Sequence, residues 1–159
     1  MVNKKTNGFT LIELLVVISI IGLLSTLAIV AFQNARKKGR DAVRKGDMDQ
    51  LAKSLEIRFN DLRNYPTSVA SGDMSGLEAV LVPAYIPRVP TDPLSVAGYD
   101  YLYFRKDLPP TGCPVGDMLG YAFYTRLESP TAADLASIKD SFDTCIRTNF
   151  SINYRNGND

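Results

Sequence analysis

Residues 8–32 read GFTLIELLVVISIIGLLSTLAIVAF, and the fold turns on how this stretch is understood. Residues 14–32 carry no charge, and as a helix these nineteen residues reach about 28 Å at 1.5 Å per residue, close to a hydrocarbon core of roughly 30 Å. The stretch can therefore span a membrane. One carboxylate, Glu13, stands immediately ahead of the run, four positions after Phe9 and five after Gly8. A charged side chain at the centre of a bilayer costs about 2.5 to 3.5 kcal/mol on insertion scales, and less near the boundary, so Glu13 requires something that neutralises it. A plain anchor accounts for the length of the run but not for Glu13 or Gly8. A conventional secretory signal has a shorter apolar region followed by a small-residue cleavage site. Here the best small pair, in Thr26-Leu27-Ala28, falls inside the longer run.

The string KKTNGFTLIE at residues 4–13, followed by the apolar helix, resembles the class III signal peptides of type IV prepilins and type II secretion pseudopilins. The resemblance implies that a prepilin peptidase cuts between Gly8 and Phe9 and methylates the new amino group on Phe9. It implies a leader at 1–8, a transmembrane and filament-core helix at 9–32, and a periplasmic or extracellular headgroup at 33–159 that includes the second half of the helix. The fold implied is α+β, the type IV pilin fold, with a long N-terminal helix packed on a small antiparallel sheet. The function implied is structural rather than enzymatic: a subunit of a pseudopilus or type IV pilus, crossing the membrane once with its N-terminus in the cytoplasm. Its partners would be further copies of itself, the peptidase and methylase, an inner-membrane assembly platform with minor pilins, and membrane lipid. The physics of Glu13 agrees. Cleavage creates an α-amino group with a reference pKa of about 7.7 to 8.0, where the helix also carries its partial positive end. Within one chain that amine and Glu13 stand one turn apart; between chains the same charges can pair in staggered packing, and the family uses this second arrangement to set register during assembly. Where many relatives carry proline at mature position twenty-two, this chain has Val30, which predicts a straighter helix there.

Composition narrows the alternatives. Without Lys4 and Lys5 of the leader, 18 basic residues against 17 acidic become 16 against 17, a balance unlike that of a generic nucleic-acid binder. Histidine is absent, which excludes serine–histidine triads, histidine-rich zinc sites and imidazole acid–base chemistry. A minor pilin for DNA uptake or adhesion is the runner-up within the structural class, and DNA is a partner only in that case. A membrane-anchored enzyme or ligand-binding module is the alternative from another class, but Asp92, Asp100 and Asp107 have no spacing that demands paired acid–base work. One signal opposes the family topology: Arg36, Lys37, Lys38, Arg40, Arg44 and Lys45 follow the span, more positive charge than the two lysines ahead of it. The peptidase motif decides in favour of an exterior headgroup. The basic cluster is read as a solvated or headgroup-contacting collar.

Beyond the span, Met48, Leu51, Leu55, Phe59 and Leu62 recur every three or four residues, an amphipathic stripe that needs a partner surface. The helix is expected to end before Asn64-Tyr65-Pro66-Thr67. Ser75-Gly76-Leu77-Glu78 has the spacing of a capping box and predicts a short helix over residues 76–82 that could lay Leu77, Val80 and Leu81 against the stripe. Residues 85–94, YIPRVPTDPL, are too proline-rich for a central strand. With Gly98 and Tyr99-Asp100-Tyr101 they resemble a loop of type II secretion major pseudopilins, apart from Leu94-Ser95, where tryptophan and glycine are usual. YDYLYF at 99–104 and YAFYTRL at 121–127 predict two antiparallel strands packed on the long helix, their aromatics serving as core. A helical turn or two is expected within 131–142 and a last strand at 149–154.

Cys113 and Cys145 are the only cysteines. With the headgroup outside the cytoplasm they are expected to form one disulfide; the alternative is two buried free thiols. Related major pseudopilins hold calcium in a loop of the C-terminal region. Asp134, Asp140 and Asp143 offer oxygens there, but they do not match the glycine-rich ligand loop, and calcium rests on family resemblance alone. No cofactor or metal is predicted.

Overall fold

The computed structural model describes residues 8–68, 72–94, 100–115 and 120–157. The leader before Gly8, and Ser71, Ser95, Gly98 and Tyr99 of the predicted loops, lie outside the described residues. In chain order the elements are α1 (Leu11–Leu62), α2 (Ser75–Leu81), β1 (Leu102–Arg105), β2 (Tyr121–Thr125), α3 (Ala132–Leu135), α4 (Ser141–Phe150) and β3 (Tyr154–Asn156). The chain divides into two compact units, Met1–Lys37 and Lys38–Asp159.

In the first unit α1 runs unbroken through Gly22 and Val30, as expected of a run without proline. Its apolar residues from Leu14 to Phe32 are exposed. Its few polar side chains fold back on the backbone: Ser19 Oγ donates to the Leu15 carbonyl, Ser25 Oγ to Ile21 and Thr26 Oγ1 to Leu23, at 2.7–2.8 Å. No hydroxyl in the run therefore needs water, which suits a hydrocarbon surround.

In the second unit the stripe on α1 finds its partner. Met48, Leu51 and Leu55 are fully buried against Leu77 and Leu81 of α2, Ile86 of the proline-rich loop, and Tyr103, Tyr121 and Phe123 of the sheet. The stripe fades toward its end: Phe59 is half-buried and Leu62 lies exposed. Arg63 takes a left-handed φ of 54°, and the Arg58 guanidinium donates to the Asn64 carbonyl at 2.7 Å, closing α1 just before Tyr65-Pro66.

The sheet has the order β1-β2-β3, antiparallel throughout, with Tyr103 opposite Phe123 and Tyr124 opposite Arg155. Side chains alternate faces along a strand, and β2 uses both. Tyr121 and Phe123 point into the core under α1; Ala122 and Tyr124 point to a second core with Phe104, Phe142, Ile146 and Ile152. Hence β2 is buried along its whole length.

Two local expectations are corrected. The Ser75–Glu78 spacing does not mark the cap: the helix begins at Ser75 itself, and its N-cap, Met74, makes no side-chain hydrogen bond. The final strand is not at 149–154. Residues 141–150 form α4, capped by Asp140, whose carboxylate accepts from the Asp143 N–H at 2.7 Å, and only after Ser151 takes a left-handed φ of 55° does β3 start at Tyr154. The cause is tertiary, because Phe142, Ile146 and Phe150, four residues apart on one helical face, cover the back of the sheet. The basic collar, read as solvated or headgroup-contacting, divides: Arg36, Lys37 and Lys38 are exposed, whereas Arg44 is completely buried and Arg40 and Lys45 partly so, paired with headgroup carboxylates.

Candidate functional site

Two groups of residues carry the chemistry that the sequence singles out. At the head of α1, Gly8 and Phe9 are exposed, Phe9 by 83%. Among the described residues, a methyl group added at Gly8 meets no atom within 4 Å. Glu13 is held by Thr10. The Thr10 N–H and hydroxyl donate to Glu13 Oε2 at 2.8 and 2.6 Å, and the Glu13 N–H donates back to Thr10 Oγ1 at 3.3 Å. This reciprocal capping box satisfies two of the four backbone donors that a helix start leaves open. Its T-x-x-E spacing is readable at residues 10–13 of the sequence. The carboxylate thus already has partners in its own chain, and any pairing between chains must compete with them.

The second group lies wholly within the 38–159 unit. Arg44 Nε and Nη2 grip Asp92 at 2.6 and 3.0 Å, while Nη1 reaches Asp41 at 2.8 Å and Glu128 at 3.0 Å. Arg40 adds a two-pronged contact to Glu128 at 2.6 and 2.7 Å, and Lys45 pairs with Asp134 at 2.5 Å. Asp41 also accepts from the Glu128 and Ser129 N–H groups, and Asp92 from that of Leu94. The guanidinium fork suits this role, because its donors lie in one plane: Asp92 takes the Nε and Nη2 side, and Asp41 and Glu128 share Nη1. The hydrogen bond from Arg40 above all, with Arg44 behind it, holds the Glu128 carboxyl down to about 2. Burial works against the charge on Arg44, but hydrogen bonds to Asp92, Glu128 and Asp41 outweigh it and raise its pKa. The cluster ties the proline-rich loop and the segment after β2 to α1. Sequence reading missed it because Asp92 and Glu128 lie 48 and 84 positions from Arg44.

The remaining candidates are accounted for singly. Cys113 and Cys145 are joined in a disulfide, Cα to Cα 5.7 Å, linking the turn before β2 to α4. Asp134 closes the capping box of α3 with Thr131. Asp140 caps α4 and takes Lys106 Nζ at 3.0 Å. Asp143 is fully buried, accepts from the Tyr124 hydroxyl and the Lys139 N–H, and faces Arg155 Nε at 3.2 Å. These three carboxylates serve caps and ion pairs, and they are not brought together. Asp100 lies at the surface, and Asp107 pairs with Arg105.

Comparison with known proteins bears on the N-terminal motif and on the family. The family described as Prokaryotic N-terminal methylation motif matches residues 3–29. The chain is 34% identical over 107 residues to the type II secretion system core protein G of Escherichia coli (strain K12), covering 62% of this chain and 71% of that protein. To the protein of the same name in Vibrio cholerae it is 30% identical over 112 residues, covering 63% of this chain and 71% of the relative. It is also 34% identical over 76 residues to the type IV wide pilus major component PilA4 of Thermus thermophilus, 48% of this chain and 58% of that one. No solved structure matches the chain.

Proposed function

Because this chain belongs to the type II secretion system core protein G family, we propose that it is the subunit of a pseudopilus, made as a membrane-held precursor and matured at its N-terminus before it polymerises. The observation that carries this reading is the combination of two unlike parts in one chain. A methylation-motif N-terminus and a fully exposed apolar helix lie in the same chain as a folded headgroup with a two-faced core. An apolar face that the monomer leaves bare must be covered by lipid or by other copies.

The peptidase removes residues 1–8 and the methylase modifies Phe9. Gly8 is then required by the processing enzyme, in keeping with the open space around it. The headgroup, residues 33–159, stands outside the cytoplasm, where Cys113–Cys145 persists. Lipid and filament both cover the residues of the apolar run, so hydrophobic burial chooses weakly between them. Pairing of Glu13 with the Phe9 amine of a neighbour, won against its own Thr10 cap, selects the assembled state and its register. An inner-membrane assembly platform and minor pilins supply the extraction and the starting point.

The test is a pair of variants in cells that lack the wild-type chain. Gly8→Leu should accumulate as the uncut precursor on immunoblots. Glu13→Val should be inserted and cut but give few filaments by electron microscopy, and abundant normal filaments from it would refute the pairing.

A further inference from the structure

The basic residues that follow the apolar run fall into two sets, with exposed Lys38 between them. Arg40, Arg44 and Lys45 each have a carboxylate at 3.0 Å or less. Arg36 and Lys37, which come first and belong to the same compact unit as the run, are exposed, and neither is ion-paired among the described residues. Their distance from the oily surface is set by the helix. Phe32 is the last apolar residue of the run, and at 1.5 Å per residue Arg36 and Lys37 sit about 6 and 7.5 Å beyond it. The polar layer on each side of a bilayer is roughly 5 to 8 Å deep, half the difference between its total and hydrocarbon thickness. The Arg36 guanidinium lies 4.5 Å over the centre of the Phe32 ring. That contact holds the cation over the last aromatic of the run, and among the described residues no carboxylate pairs with it.

We propose that Arg36 and Lys37 form a binding surface for the phosphates of anionic phospholipids. The inference rests on residues 14–32 spanning a membrane before assembly. Charge complementarity identifies the occupant, and the unbroken helix from the apolar run places the two cations at phosphate depth. Arg36 takes a phosphate through two N–H groups and Lys37 contributes a point charge beside it. A basic residue near an anionic membrane surface is worth roughly 1 kcal/mol, a factor of about five. The contact exists only while the helix is in the bilayer, so it retains the subunit there and must be given up on extraction into a filament.

The experiment uses the full mature chain reconstituted in phosphatidylcholine vesicles carrying trace spin-labelled phosphatidylglycerol or phosphatidylcholine. Electron paramagnetic resonance reads the fraction of each label slowed at the protein surface. The wild type should slow the anionic label several-fold more than the zwitterionic one, and Arg36→Gln/Lys37→Gln should slow both equally. The control Lys53→Gln/Arg63→Gln removes the same charge from exposed headgroup positions and should keep the preference; an equal loss there would mean net charge alone is read and would overturn the proposal. Sodium phosphate should weaken the preference no more than sodium chloride at matched ionic strength, and a stronger effect would assign the pair to free phosphate instead. A preference that survives in the Arg36/Lys37 variant while its filaments disappear would assign the pair to a second copy of the chain. If neither label is slowed, the helix is not in the bilayer and the membrane-span reading falls too, whereas slowing without preference sinks only the present inference.

Discussion

Replacing Arg44 by alanine should be among the most damaging single changes in the headgroup. The side chain is fully buried, and its hydrogen bonds include two to Asp92 and one each to Asp41 and Glu128. What its loss leaves behind is unequal. Glu128 retains both contacts to Arg40, and Asp41 retains two backbone N–H donors. Asp92, whose side chain is 3% exposed, keeps the Leu94 N–H but loses its cation. Breaking one side of a buried ion pair costs about 3 to 5 kcal/mol, mostly through the charge left behind. For a unit of this size each kcal/mol shifts Tm by roughly 4 °C, so Arg44→Ala should melt about 12 to 20 °C lower. The assay is near-ultraviolet circular dichroism of the full chain in detergent. The chain has no tryptophan, so the packed tyrosines Tyr101, Tyr103, Tyr121 and Tyr124 report headgroup packing without interference from the detergent-bound helix. Arg44→Met/Asp92→Leu should recover about 2 to 3 kcal/mol of the summed single-variant losses, because it removes both members of the tightest pair. A loss below about 1 kcal/mol for Arg44→Ala, or strict additivity in the double variant, would refute the view that Arg44 staples the loop to α1.

Three further outcomes are expected. Glu128 has a folded pKa of about 2 against an ordinary 4.5, so its contribution is complete above pH 4.5 and fades as the pH falls toward 2; it is on the order of 3 kcal/mol, and Glu128→Gln should flatten the acid limb of a stability–pH curve. Reduction of Cys113–Cys145, which spans 32 positions, should cost roughly 3 to 4 kcal/mol in urea unfolding with and without reductant, and an unchanged midpoint would show the bond to be dispensable. Gly72→Ala should destabilise by about 2 kcal/mol or more, read as a lower melting temperature: the residue has φ of +72°, and an added methyl would sit 2.3 Å from the Phe104 ring.

The fold class, the long apolar run and the methylation motif were legible because they are local. A charge-free run long enough for a bilayer, a glycine and a glutamate at fixed spacing, a helical stripe at Met48, Leu51 and Leu55, and a proline that ends a helix at Pro66 all declare themselves within a few residues. The aromatic strands were legible as well, since runs so rich in tyrosine and phenylalanine have few other places to go. Where local signals competed, the tertiary structure chose. Residues 141–150 became a helix because Phe142, Ile146 and Phe150 together close a sheet face that no strand at 149–154 could have covered. Met74 heads α2 despite the capping spacing at Ser75 and Glu78, since burial of Leu77 and Leu81 sets that helix, not its cap. The division of the basic cluster was also beyond the sequence. Six similar cations follow the span, and whether each meets lipid, water or a carboxylate depends on acids up to 88 positions away that only the folded headgroup brings to α1.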